Sequence, residues 1–279
     1  MNGKICMVTG ANSGIGKATA LGMAKMNAEV ILVCRGKEKG EIAIEEIKKQ
    51  SGNDSLDLLV ADLALMTSVK KLVMNFKEQY DQLDVLVLNA GAYFTKRQVT
   101  KEGLERTAAV NYLSRFLLTN LLLDVLKKSA PARIISVVGE MIKEINFDDF
   151  MMERKYKGRY ALARFTLANI LFIQELAQKL EGTGVTANYM DPGAVRTNFF
   201  KKDKDVPWFL KFAFKLVKPF FKSPEKAAEA ILYLAFSPSV QNISGKHFIN
   251  EKEAPTPPEA QDISSRKRLW DLSAKLTKV

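Results

Sequence analysis

The sequence predicts an α/β fold: a doubly wound, mostly parallel, seven-stranded sheet with helices on both faces. Three observations carry that prediction. Short continuous apolar runs alternate with amphipathic stretches along nearly the whole chain, the pattern of strands buried on both faces and joined by helical crossovers. The first run, Ile5 to Val8, passes through Thr9-Gly10-Ala11-Asn12-Ser13-Gly14-Ile15-Gly16 into a helical pattern from Lys17 to Met26. At 279 residues and 47% apolar, the chain can bury a real core in one large domain and is not disordered.

The elements follow in order. Ala28 to Cys34 reads as a second buried strand and Lys37 to Gln50 as a charged amphipathic helix. Leu56 to Ala61 is a third strand, ending at Asp62; Ser68 to Tyr80 is helical. Leu83 to Leu88 is a fourth strand, ending at Asn89-Ala90-Gly91. A long helix is expected from about Gly103 to Lys128, then a fifth strand from Ala132 to Val138. The second half continues with a helix over about Tyr160 to Leu180 and a strand over Val185 to Met190, broken by Asp191-Pro192-Gly193. Pro224 to Phe236 reads as helix and Lys246 to Ile249 as the last strand. Ala254 to Pro258, with three prolines, reads as a linker, and Ser264 to Leu276 as a surface helix. No composition shift marks a second domain, so 1–250 is taken as one dinucleotide-binding domain and 251–279 as a C-terminal linker and helix. Right-handed crossovers then place a ligand at the carboxyl ends of the strands.

Composition narrows the function. Net charge is +11, from 42 basic and 31 acidic residues. The lysines are spread over many helices, as on solvated faces, so nucleic acid is not an expected partner. Cys6 and Cys34 both fall in strands and read as buried free thiols of a reducing compartment. The first strand begins almost at once, without a signal-peptide pattern, and no uninterrupted apolar run reaches about 18 residues. A cytoplasmic location is expected, with at most peripheral membrane contact. The single histidine, His247, limits any histidine mechanism, and no metal is expected.

A strand, a glycine turn and a helix N-terminus make a phosphate cradle. Unpaired N–H groups and the positive end of the helix dipole face the turn. The three glycines serve a tight turn, close approach to a pyrophosphate, and close packing of helix on strand. The signal rests on its context, strand before and helix after.

Thr9-Gly10-x-x-x-Gly14-x-Gly16, Asp62-Leu63, Asn89-Ala90-Gly91, Asn111 and Pro192-Gly193 stand in the order and spacing of the short-chain dehydrogenases/reductases. The segments 110–123 (VNYLSRFLLTNLLL) and 167–180 (LANILFIQELAQKL), with the closing RLWDLSAKL, resemble the retinol-dehydrogenase-like branch. The resemblance implies a Rossmann-type fold and NAD(P)-dependent carbonyl–alcohol chemistry. It implies that Gly10, Ser13, Gly14, Ile15 and Gly16 hold the pyrophosphate, that Asp62 and Leu63 flank the adenine, and that Asn89, Ala90 and Gly91 meet the adenine-side ribose. It also implies that Pro192, Gly193, Val195 and Thr197 line the nicotinamide.

Cofactor choice follows from charge. An NAD-selective site places an acid at the end of the second strand to accept from the ribose 2′-hydroxyl. Here the strand ends Val33-Cys34-Arg35-Gly36-Lys37, without an acid. Arg35 offers a planar fork for a 2′-phosphate, so NADP(H) is the expected cofactor.

The catalytic end departs from the resemblance. The family's machinery is Ser, Tyr and Lys with a supporting Asn; Tyr and Lys stand four apart because i and i+4 share a helix face. The cation brings the tyrosine's proton transfer nearer to neutral pH. In family register the serine falls at Val138, and Ser136 lies one pleat deeper on the same face, roughly 6–7 Å away. Counting back from Leu167 puts Leu162 at the Tyr position, Phe165 at the Ser of the helix motif and Thr166 at the Lys. A look-alike, Tyr160-Ala161-Leu162-Ala163-Arg164, sits two residues upstream, about 200° round the helix. Tyr160 and Arg164 can serve only if the helix start shifts or a bulge rotates it. Two readings stay open: a substituted site, or a rescued Tyr160/Arg164 pair with Ser136 and Asn111. Asp191 reads as a strand-end or turn residue, or as a lone acid near the nicotinamide. His247 reads as structural.

Pro207 to Lys222 is the other distinctive stretch. Lys211, Lys215, Lys218 and Lys222 follow helical spacing among aromatic and aliphatic residues, with Pro219 ending or kinking the helix. In the family this region, about 199–222, covers the substrate, which implies a lipophilic substrate under an apolar lid. The same pattern suits a membrane interface. A homo-oligomer is compatible with the sequence. Two functions are carried forward: an NADP(H)-dependent oxidoreductase on a lipophilic carbonyl or alcohol, and a nucleotide-binding pseudoenzyme acting as sensor, regulator or scaffold.

Overall fold

The structure, a computed structural model, describes residues 1–196 and 221–279. Its elements are β1 (Ile5–Thr9), α1 (Gly14–Lys25), β2 (Glu29–Cys34), α2 (Lys37–Ser51), β3 (Leu56–Val60), α3 (Met66–Gln79) and β4 (Val85–Leu88). Then come α4 (Arg106–Lys128), β5 (Ala132–Val137), α5 (Gly158–Lys179), β6 (Val185–Asp191), α6 (Pro224–Phe236), β7 (His247–Ile249), β8 (Lys252–Ala254) and α7 (Ile263–Thr277). The sheet order is β3-β2-β1-β4-β5-β6-β7-β8. The first seven strands are parallel, and the chain reverses its direction of winding between β1 and β4, which opens a crevice at their carboxyl ends.

The expected seven strands are present, and the count is corrected to eight. Residues 252–254, just ahead of and into the stretch taken as linker, pair antiparallel with 247–249. A three-residue polar segment, Lys-Glu-Ala, carries no apolar run, and edge strands need none.

Each face of the sheet buries a separate apolar layer. Cys6, Val8, Val30, Leu32, Val85, Val87, Ile135 and Met190 pack under α1, α2 and α6. Met7, Ile31, Leu86, Ile134, Ala187 and Tyr189 pack under α3, α4, α5 and α7. Alternate residues of one strand thus serve opposite faces, which is why the strands read as unbroken apolar runs. Cys6 and Cys34 are buried free thiols. Helix α7 docks by Leu269, Trp270 and Ser273, whose Oγ pairs with the Tyr112 hydroxyl at 2.6 Å.

Helix α4 starts at Arg106 rather than near Gly103, and it makes one π turn over Ala109–Leu113. By length and composition it could cross a membrane, yet 72% of its apolar window is buried inside the domain, so it packs as a core helix.

Candidate functional site

The glycine loop is anchored before the helix begins. The Gly10 N–H donates to the Val33 carbonyl at 2.7 Å, which ties the loop to the end of β2. Gly10 has φ +70°, a conformation that favours glycine. A Cβ on Gly16 would stand 2.5 Å from Asn89 Nδ2 and 2.6 Å from the Gly10 carbonyl oxygen. The third glycine therefore lets α1 press onto both loops. Ser13, the residue capping α1, gives no side-chain hydrogen bond to the helix's first N–H groups. A helix N-terminus left uncapped beside a glycine turn is a fitting seat for an anionic diphosphate.

Thr9 opens the glycine motif, and the structure gives it a role that the sequence reading did not assign. Its hydroxyl donates to Val87 O (3.2 Å) and accepts from the N–H groups of Asn89 (2.9 Å) and Ala90 (3.0 Å). Asn89 Nδ2 returns a bond to Thr9 O at 2.8 Å. The glycine loop and the Asn89-Ala90-Gly91 loop are thus one unit. The signal was a threonine at the very end of an apolar strand.

At the adenine end, Asp62 Oδ1 accepts from Ala64 N at 3.0 Å, forming a tight turn, and Leu63 is half-buried beside it. Arg35 is exposed one residue beyond β2, and no ion pair to it is seen among the described residues. The end of β2 carries no carboxylate, so the residues present fit an NADP-type dinucleotide.

Arg115 was not foreseen. It is only 6% exposed, in the middle of α4. Nη1 donates to Ser136 Oγ (3.0 Å) and Val137 O (2.7 Å), and Nη2 to Ala90 O (2.8 Å). Its Nε is buried without a partner, a penalty of about 1–3 kcal/mol. Burial pushes its pKa down to about 10, still charged at neutral pH. Ser136 is consequently buried and engaged by Arg115.

Asn111 rides the π turn of α4, a distortion common at functional sites. Its amide pairs twice with the Ala92 backbone, accepting from N (2.8 Å) and donating to O (2.9 Å). Its own carbonyl accepts from Asn169 Nδ2 at 2.8 Å.

Asn169 orients helix α5. Counting back three, four and seven residues, Thr166, Phe165 and Leu162 share its side of the helix. Thr166 is buried and Leu162 half-buried. The helix is regular from Gly158 to Lys179, with no bulge to bring Tyr160 and Arg164 round. Tyr160 is instead ringed by Lys143, Lys157 and Arg159 at 5.0–5.2 Å. Its hydroxyl accepts from Arg159 at 3.3 Å, and that bond, with the neighbouring charges, lowers its pKa. Arg164 Nη1 donates to Asp149 O at 2.6 Å, and burial lowers its pKa.

Val138 is buried in the core layer under α4 and α5. At Gly139, the next residue, an added Cβ would meet open space. Gly139 is therefore a strand-exit position with room for a side chain.

At the far end, Asp191 is 5% exposed and its Oδ1 accepts from Gly193 N at 2.8 Å, a turn role. Burial raises its pKa, against the Gly193 bond and with help from Glu140. Lys222 Nζ donates to Asn250 Oδ1 (2.7 Å) and Pro192 O (3.3 Å), and Val195 bridges to Lys222. His247 stacks on Tyr189 at 4.9 Å and meets Pro255 O at 3.0 Å through Nδ1. Thr197 and the lid stretch 199–220 lie outside the described residues.

Comparisons with known proteins agree with this architecture. The family model described as short chain dehydrogenase matches residues 4–207. Retinol dehydrogenase 14 of Homo sapiens is 40% identical over 289 residues, covering 98% of this chain and 86% of that protein. The RhlG/NADP active-site complex of Pseudomonas aeruginosa shares the fold at a TM-score of 0.71 and 23% identity, covering 89% of this chain and 95% of that one. A 3-ketoacyl-(acyl-carrier-protein) reductase of Brucella melitensis, complexed with NADH, does so at 0.68 and 24%, covering 89% and 96%.

Proposed function

The chain belongs to the short-chain dehydrogenase family, and from that premise we propose that it binds NADP(H) in the cleft above β1, β2, β4 and β5 and acts on a lipophilic carbonyl or alcohol. The observation that carries the nucleotide half is the uncapped start of α1 beside Gly10 and Gly16, with Arg35 and no carboxylate at the end of β2. In this reading Gly10, Ser13, Gly14, Ile15 and Gly16 hold the diphosphate and Arg35 holds the 2′-phosphate. Asp62 and Leu63 flank the adenine, Asn89 to Gly91 meet the ribose, and Pro192, Gly193, Val195 and Thr197 border the nicotinamide. Similarity to a retinol dehydrogenase over nearly the whole chain supports a lipophilic alcohol or carbonyl as substrate class.

When bound, the nicotinamide supplies or accepts the hydride. Asn111 holds the backbone at Ala92 and, through Asn169, fixes α5 against α4. Leu162 and Thr166, on the side of α5 that faces Asn111, give a wall without a titrating group. The proton must then come from water, and turnover falls by about 10²–10⁴-fold relative to a complete acid–base centre. The same observation favours a second reading, a nucleotide-dependent sensor or scaffold without turnover.

The test pairs NADPH binding with NADPH oxidation across long-chain aldehydes and ketones. Tight binding with slow turnover supports the enzyme; tight binding with none supports the second reading; no binding ends both. A peripheral membrane contact through 207–222 belongs to the same proposal, on the strength of Lys211, Lys215 and Lys218 among aromatics. Sedimentation with anionic vesicles at low salt tests it, and protein left wholly in the supernatant refutes it.

A further inference from the structure

We propose that Arg115 is a positioning residue for the dinucleotide: it carries the tie between β4 and β5 past the end of their ladder and sets a buried positive charge under the Asn89-Ala90-Gly91 loop. The proposal rests on the NADP(H) reading above.

The ladder between the two strands ends at the pair Leu88 and Ser136. Beyond it the two strands share no further ladder pair. Arg115 spans that gap, with Nη2 on Ala90 O from one chain and Nη1 on Val137 O from the other. The planar guanidinium holds two acceptors at a fixed spacing, which an ammonium cannot. Ala90 is gripped from both sides, its N–H by Thr9 and its carbonyl by Arg115. The loop under the adenine-side ribose and the strand exit under the nicotinamide are therefore held by one side chain.

The charge has a second consequence. All of Arg115's hydrogen-bond partners are neutral oxygens, and no carboxylate pairs with it among the described residues. A buried cation without a counter-charge is screened little by salt and attracts a polyanionic ligand across the thin loop above it.

NADPH affinity measured by fluorescence, with the melting temperature of the free protein, tests the idea on four chains: wild type, Arg115→Met, Arg115→Lys and Tyr112→Phe. Tyr112→Phe removes a buried hydrogen bond from the same helix without touching the cleft. Arg115→Met is expected to weaken NADPH at least about tenfold, having lost charged hydrogen bonds. Arg115→Lys should fall between, keeping charge but losing the fork. Tyr112→Phe should lower melting and leave affinity alone. Wild-type affinity in Arg115→Met, or losses in Arg115→Met and Tyr112→Phe that simply follow melting temperature, overturns the proposal. Should Arg115→Met not fold, Arg115→Lys decides, and undiminished NADPH affinity there overturns it. A wild-type chain that fails to bind NADPH overturns the function reading instead, and this proposal with it.

Discussion

At the glycine-loop end of the cleft, α1 starts without a side-chain cap, and Gly16 leaves no room for a Cβ. At the α5 end, Leu162 and Thr166 share the helix side of Asn169, Arg164 is held by the Asp149 carbonyl and Ser136 by Arg115. One end keeps its donors open for a ligand, and the other engages Arg164, Ser136 and Asn169 in internal hydrogen bonds. Nucleotide binding and proton transfer are separable properties of this fold, built on different elements. Substitutions at each end can break or sharpen that contrast.

The largest effect is expected at the open end. Gly16→Val places a side chain against the Gly10 carbonyl and the Asn89 amide, and overpacking of this kind costs about 1–3 kcal/mol. Because the displaced groups are the cradle itself, NADPH binding should fall by about 100-fold or more, about 2.8 kcal/mol of binding free energy. The readout is the NADPH-induced rise in melting temperature, which should vanish. A retained rise would mean the dinucleotide does not use this loop.

The next effect is a gain. Leu162→Tyr, Thr166→Lys and Gly139→Ser together should raise NADPH oxidation by about 10²–10⁴-fold, the usual worth of a placed acid. Val138→Ser in place of Gly139→Ser should give less, since Val138 points into the core. Tyr160→Phe should leave wild-type turnover unchanged. If Tyr160→Phe abolishes turnover, the upstream pair is the working one and the contrast between the two ends collapses.

Arg35→Ala should come third. A charge-assisted bond to a 2′-phosphate contributes about 1.5–3 kcal/mol, so NADPH should weaken by roughly 10–100-fold while NADH changes little. Titrating both dinucleotides against both proteins checks this, and equal losses for the two would detach Arg35 from cofactor choice.

The two ends were also unequally legible. The glycine loop could be read because apolar strand, glycine turn and helical period lie together in one short stretch. Leu162 and Thr166 could be placed by counting from Leu167, because a regular helix preserves spacing. What escaped depended on contacts between distant segments. Arg115 looks in sequence like a polar break in an apolar helix, and only packing against Ala90 and Val137 reveals a buried strut. The π turn at Asn111 leaves no mark on residue spacing that separates it from ordinary helix. The contrast between buried Val138 and the open space at Gly139 arises where β5 ends and the chain turns. Residues 252–254 pair only because β7 lies beside them.

The smallest expected effect concerns Asp191, the buried acid at the far end of the cleft. Burial holds its carboxyl above the ordinary range. The folded chain therefore binds that proton more tightly than the unfolded chain does. The stability this group contributes is fullest below the ordinary carboxylate pKa of about 3.9 and is lost as pH rises through the folded value. At neutral pH the ionised side chain is a net cost, offset in part by the bond from Gly193 N. Asparagine keeps that acceptor and carries no charge. Asp191→Asn should thus melt higher than wild type at pH 7 to 8, with the difference shrinking toward about pH 4. Melting temperature followed against pH tests this; a variant less stable at neutral pH would mean that a cation pairs with Asp191 strongly enough to outweigh its burial, and that the α5 end of the cleft keeps a charged acid after all.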